Sequence, residues 1–141
     1  MVIALGQALV LAGEPPVKIE NGWVRAVPAS SDDTAAFMIL TNTGDQPLRL
    51  TGGHTERGGM LMPMITTRET KSGREVMGMK SVDALVIPPH GKLVLAPGGN
   101  HLMVMGFKGP LKVGEKLKLT LEFAPGQGSI AVELPAALTQ P

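Results

Sequence analysis

The sequence predicts an all-β fold, a sandwich or barrel of about ten short strands. Gly and Pro punctuate the chain every eight to twelve residues, which is the rhythm of strands joined by turns. Apolar residues rarely recur at the three-and-four spacing of a helix. Some segments alternate cleanly instead. In Lys116-Leu117-Lys118-Leu119-Thr120-Leu121-Glu122-Phe123 every odd position is apolar, the pattern of a half-buried strand with its polar face in water.

The elements follow in order. Residues 1–13 are almost wholly apolar and too short to span a bilayer. They resemble the apolar region of a secretory signal, without the basic start and ending near the small pair Ala12-Gly13, so a signal or anchor remnant is expected there. A single domain should occupy 14–135. Its first strand is expected over 17–27. The second, over 35–43, carries the apolar run Ala35-Ala36-Phe37-Met38-Ile39-Leu40, with Met38 in the core, and ends at the turn Asn42-Thr43-Gly44-Asp45, with Gly44 at positive φ. A third strand over 46–51 leads into the Gly-flanked loop Gly52-Gly53-His54-Thr55. The glycine pairs at 52–53, 58–59 and 98–99 are read as turns. Strands over 60–66 and 75–81 are separated by the polar stretch 66–74, read as a lengthened hairpin loop. Strands over 84–87 and 92–96 flank the turn Pro88-Pro89-His90-Gly91, and Pro97-Gly98-Gly99-Asn100 precedes a strand over 101–107. Strands over 116–123 and 129–134 close the domain, and 136–141 should form a flexible tail.

Bulk properties narrow the function. The 141 residues suit one domain with an ordinary core. A net charge of +1, with no basic block, leaves no electrostatic footprint for nucleic acid. Tyr is absent and Trp23 is alone, so base-stacking platforms are missing as well. The absence of Cys removes disulfides, thiolate nucleophiles, iron–sulfur clusters and blue-copper centres. Catalytic signals are weak. Asp32 and Asp33 are adjacent and would point apart in a strand, and no serine lies in a nucleophile elbow. No enzyme is expected.

The methionines carry the most information. Apart from Met1 and Met38 they fall in three clusters, Met60-Leu61-Met62-Pro63-Met64, Met77-Gly78-Met79 and His101-Leu102-Met103-Val104-Met105. Each repeats with period two, so in a strand each cluster shares one face. Thioether sulfur is a soft donor and imidazole a borderline one, and together they suit Cu(I). His101 and Met103 project to the same side roughly 7 Å apart at Cα, just after a turn. The competing reading is packing, because methionine is a common gap-filler, and some of these sulfurs are expected in the core. Met77 fits either reading. Pro63 marks an edge strand or a bulge. His54 and His90 read as solvated loop and turn residues.

The chain also resembles the periplasmic copper chaperones called PCuAC. That family has a His or Met, about ten residues, a Met, twenty-one residues and then His-x-Met. Here Met79 is followed by twenty-one residues and then His101-Leu102-Met103. Asn21-Gly22-Trp23-Val24-Arg25-Ala26, the run Leu95-Ala96-Pro97-Gly98-Gly99-Asn100 before His101, and Val132-Glu133-Leu134-Pro135 are similar to its flanks, so the likeness covers about 17–135. The departure is at the first ligand. Met64 stands where most relatives have His, and fourteen residues, not ten, separate it from Met79. Met62 and His54 are the fallback candidates.

The resemblance implies a cupredoxin-like Greek-key β-sandwich holding Cu(I) through Met64, Met79, His101 and Met103. It implies an exported protein of the periplasm or cell envelope, acting as a monomer. Its expected partners are copper, cytochrome c oxidase subunit II, whose dinuclear copper site the relatives supply, and other copper-transfer proteins. The alternative is a non-metal interaction module that docks a partner on a methionine-rich face.

Overall fold

The computed structural model describes residues 14–28 and 30–139. The signal-like segment expected over 1–13 lies outside the described residues. Ten strands follow in order: β1 (Val17–Arg25), β2 (Asp33–Asn42), β3 (Leu48–Thr55), β4 (Met60–Lys71), β5 (Arg74–Ser81), β6 (Leu85–Ile87), β7 (Lys92–Leu95), β8 (His101–Met105), β9 (Lys116–Phe123) and β10 (Ser129–Ala137). All ten match strands expected from the sequence, and no helix occurs among the described residues.

Hydrogen bonding runs β5-β4-β8-β2-β1-β10-β9-β3-β6, with β7 continuing beside β2. The order divides into two layers. One holds β5, β4, β8, β2 and β1, and the other holds β10, β9, β3 and β6. They join through a short parallel contact, Val24 and Arg25 of β1 against Ala136 and Ala137 of β10. A second short contact sets Gly53 and His54 of β3 against Leu61 and Met60 of β4. The chain crosses between layers from β2 to β3, β3 to β4, β5 to β6, β6 to β7 and β8 to β9, as the expected Greek-key β-sandwich requires.

Leucine builds the interior. Leu117, Leu119 and Leu121 of β9 are wholly buried, as alternation required, and face Leu40, Leu102 and Val104 of the other layer's strands. Met38 is in the core, 1% exposed. Leu61, Leu102 and Val104 occupy the core side of β4 and β8, so their odd-and-even neighbours must face outward.

Five local expectations need correction. The stretch 66–74 is not a loop. β4 and β5 stay in register from Met64 opposite Ser81 to Lys71 opposite Arg74. Ser72 and Gly73, at φ 52° and 78°, make the two-residue turn. Its polar sequence hid the strands because the arm stands off the body, and every residue of β5 is exposed. His54 lies within β3, opposite Thr120 and Met60, not in a loop. Gly52 and Gly53 make no turn there; both take φ 151°, and the register against β9 shifts beside them. Gly44 does not take positive φ. Glycine is needed there because a Cβ would press on the Pro16 ring, while the buried Asn42 accepts the Gly44 N–H at 2.9 Å. Finally, β10 continues to Ala137, past the strand end expected at 134, and buries Ala136.

Gly53 has two reasons to be glycine. Its φ is one that L side chains avoid, and a Cβ would run into the Thr120 carbonyl oxygen. Gly53→Ala is expected to cost about 2 kcal/mol or more of unfolding free energy, from strain at a forbidden φ plus the clash. Urea denaturation measures it, and an unchanged midpoint would contradict this account of the β3 bend.

Candidate metal centre

Residues directly opposite in an antiparallel ladder point to the same face. β4 and β8 set Met60 against Met105, Met62 against Met103 and Met64 against His101. β2 adds Asp33 opposite Met105 and Ala35 opposite Met103, on the other flank of β8. β5 places Met79 opposite Thr66 and Met77 opposite Arg68, on the side of the hairpin that carries Met64. Seven of the nine methionines therefore share the outer side of one layer. The expectation that some of these clustered sulfurs serve as core is corrected. Met60, Met77 and Met79 are more than half exposed, and Met62, Met64, Met103 and Met105 are partly exposed. Leucine supplies the interior, so methionine is free for the surface.

His101, Met103 and Met79 line one hollow of about 310 Å³, with Arg25, Asp33, Phe37 and Pro97 among its walls. The three donors arrive from the start of β8, two residues further along it, and the return strand of the exposed arm. A second hollow of about 210 Å³ adjoins it, and shares Met79, His101 and Gly98 while adding Met77 and Thr66. Met64 stands opposite His101 in the ladder but lines neither hollow. Met62 stands opposite Met103 and likewise lines neither. His54, the other fallback, is on β3 and belongs to a different row of the surface. His90 spends its Nε2 on Asp45 at 2.8 Å, at a left-handed turn position.

The turn before β8 prepares His101 as a donor. Its Nδ1 lies 3.2 Å from the Gly99 carbonyl oxygen. A carbonyl only accepts, so Nδ1 carries the proton and Nε2 keeps its lone pair. Metal-binding histidines are commonly oriented in this way. The same carbonyl accepts the Thr66 hydroxyl at 2.8 Å. That bond ties the arm carrying Met79 to the turn that orients His101. His101 is 8% exposed. It is backed by Phe37 at 6.3 Å between centroids, Phe37 by Trp23 at 4.7 Å, and the Arg25 guanidinium lies 5.2 Å from the Phe37 centroid. This aromatic stack lies on the outer face, apart from the leucine core, and it holds the imidazole still.

Among the described residues, no three of His, Cys, Asp and Glu converge to hold an ion. The donor set is therefore soft: two thioethers and one imidazole, with Met64 opposite His101 in the ladder. Such a set suits Cu(I) and is poor for hard or divalent cations. Sequence reasoning missed Thr66, Gly99 and the Phe37–Arg25 contact. Only the run Asn21-Gly22-Trp23-Val24-Arg25, noted for its likeness to the family's flank, pointed toward that stack.

A family model described as "putative lipoprotein LpqE-like" matches residues 17–136. The curated protein "Putative lipoprotein Lxx21020" of Leifsonia xyli subsp. xyli is 38% identical over 113 residues, which is 80% of this chain. The chain spans 65% of that relative's own length. Among solved structures, the copper-bound PCuAC domain from PmoF2 superimposes with a TM-score of 0.69 at 25% identity, covering 92% of this chain and 97% of that one. The solution structure of CuI-DR1885 from Deinococcus radiodurans gives 0.65 at 36% identity, covering 96% and 86%. The apo PCuAC domain from PmoF1 gives 0.63 at 25% identity, covering 86% and 93%. The chain thus belongs to the LpqE-like family, and its sandwich is a cupredoxin-like domain of the PCuAC type.

Proposed function

We propose that this protein is an exported Cu(I) chaperone that holds one ion through His101, Met103 and Met79, with Met64 as the fourth donor. The observation that carries the reading is the single hollow in which His101, Met103 and Met79 meet while the Gly99 carbonyl leaves Nε2 free. Copper in the PmoF2 domain and Cu(I) in DR1885 support the choice of ion. A family and a relative, both described as lipoproteins, and the apolar start of the chain support export to the cell envelope. The recipient we propose is the dinuclear copper site of cytochrome c oxidase subunit II, the target of the chaperones that the sequence resembles.

The donor chemistry suits a carrier. Thioethers and imidazole are neutral, so copper leaves without a thiolate to protonate. Met79 is 61% exposed on an arm joined to the body by few contacts. A recipient's ligands can displace this sulfur first, while His101, buried and held by the turn, keeps the ion until exchange is complete. Ser81 lies opposite Met64 at the base of the arm, so a modest swing there would open the site. The ion remains Cu(I) throughout, and no electron is transferred.

Anaerobic titration with Cu(I) against a competing chelator tests the ligand set. Met79→Leu with Met103→Leu is expected to weaken the first equivalent by about 100-fold or more. Binding that survives the double change would remove these sulfurs from the site. Thr66→Val should weaken binding by about tenfold, the lower range for losing an outer-shell partner, with stability nearly unchanged. Wild-type affinity in that variant would detach the arm from His101. Copper should also stabilise the fold. At one hundred times its dissociation constant it adds about 2.7 kcal/mol, seen as a rise in Tm, and an unmoved Tm is the opposing result.

A further inference from the structure

We propose a second soft-cation site on the outer face, made by His54, Met60 and Met105 and taking Cu(I). None of its three donors lines the hollow of His101, Met103 and Met79.

The barrel-like closure of the two layers creates it. β4 is bonded to β8 on one flank and, at its first two residues, to β3 on the other. The result is one continuous row across adjacent strands. His54 of β3 is opposite Met60 of β4, and Met60 is opposite Met105 of β8. Beyond them Asp33 of β2 is opposite Met105. Directly paired residues share a face, and strands are roughly 4.8 Å apart. The imidazole and the two thioethers therefore rise side by side, with Met60 in the middle. Long side chains reach one another across such a spacing. The inward neighbours fix the direction, because Leu61 and Val104 are buried in the core and Thr55 is 4% exposed.

The donors are available. Met60 is 57% exposed, the His54 side chain is 56% exposed, and Met105 is partly exposed. The Nδ1 of His54 lies 3.5 Å from a carboxylate oxygen of Glu122, so Nε2 is the ring nitrogen left to a metal. The carboxylates of Glu122 and Asp33 flank the row and favour a cation there. The turn between β3 and β4 is pinned as well. Arg57 donates to the Pro110 carbonyl at 2.7 Å and to Glu115 at 3.2 Å, and this holds the register that puts His54 against Met60. One imidazole and two thioethers form a three-coordinate set matched to Cu(I). The more open position predicts weaker binding than in the hollow. The first site reaches down to Met103, whose rung with Met62 is the one next to Met60 and Met105.

The test uses the full chain labelled with ¹³C at the methionine methyls and titrated anaerobically with Cu(I). Two equivalents should bind. The second should shift the Met60 and Met105 methyls and the His54 ring. His54→Gln with Met60→Leu should weaken the second equivalent at least tenfold and leave the first in place. Met105→Leu alone should give the same loss by an independent change. Saturation at one equivalent, or a second equivalent that leaves Met60, Met105 and His54 unmoved, overturns the proposal. Its failure is distinct from failure of the carrier reading, which is decided by the Met79 and Met103 methyls at the first equivalent.

Discussion

The register of β4 against β8 is the constraint on which the rest depends. Because Met64 is paired with His101, Met62 with Met103 and Met60 with Met105, every cluster methionine of these strands faces out. A slip of one residue would send the sulfurs inward and expose Leu61, Leu102 and Val104, which are buried in the core. The hydrophobic effect on those leucines and valines thus fixes where the sulfur goes. Burial of each such side chain contributes about 1.5–3 kcal/mol, and Leu61, Leu102 and Val104 pack into one core cluster with Leu40, Leu117, Leu119 and Leu121. The core selects the register, and the register presents the donors.

The same logic separates the rigid half of the site from its mobile half. His101 and Met103 belong to a strand bonded on both flanks, by β2 and β4. Behind them lie Phe37, Trp23 and the carbonyl of Gly99. Met79 belongs to an arm with water on both faces, tied down by the Thr66 hydroxyl. Local stability follows packing, so such an arm opens far more easily than the body. A carrier needs this asymmetry. A fully rigid donor set would hold its ion against exchange, and a fully mobile one would lose orientation and affinity.

Much of this was legible in the sequence, for physical reasons. Period-two alternation is local, so all ten strands could be placed, β9 most plainly. The pairing of His101 with Met103 on one face is also local. Met79 stands out locally in a period-two pair with Met77, but its meeting with His101 came only through their spacing in the family pattern, since nothing near it says which strand it meets. The arm was hidden because a hairpin solvated on both faces carries no alternation. His54 seemed a loop residue because Gly52 and Gly53 suggest a turn, and only the bulge against β9 shows them to be strand. The Gly99 carbonyl and the Phe37 stack depend on contacts between distant segments, which no local pattern encodes.

The central claim is that sulfur and one imidazole share a single copper ion. X-ray absorption at the copper edge of the protein loaded with one equivalent of Cu(I) addresses this most directly. The account predicts a Cu(I) edge and a first shell of two or three sulfur scatterers with one nitrogen. A first shell of nitrogen and oxygen alone would contradict it.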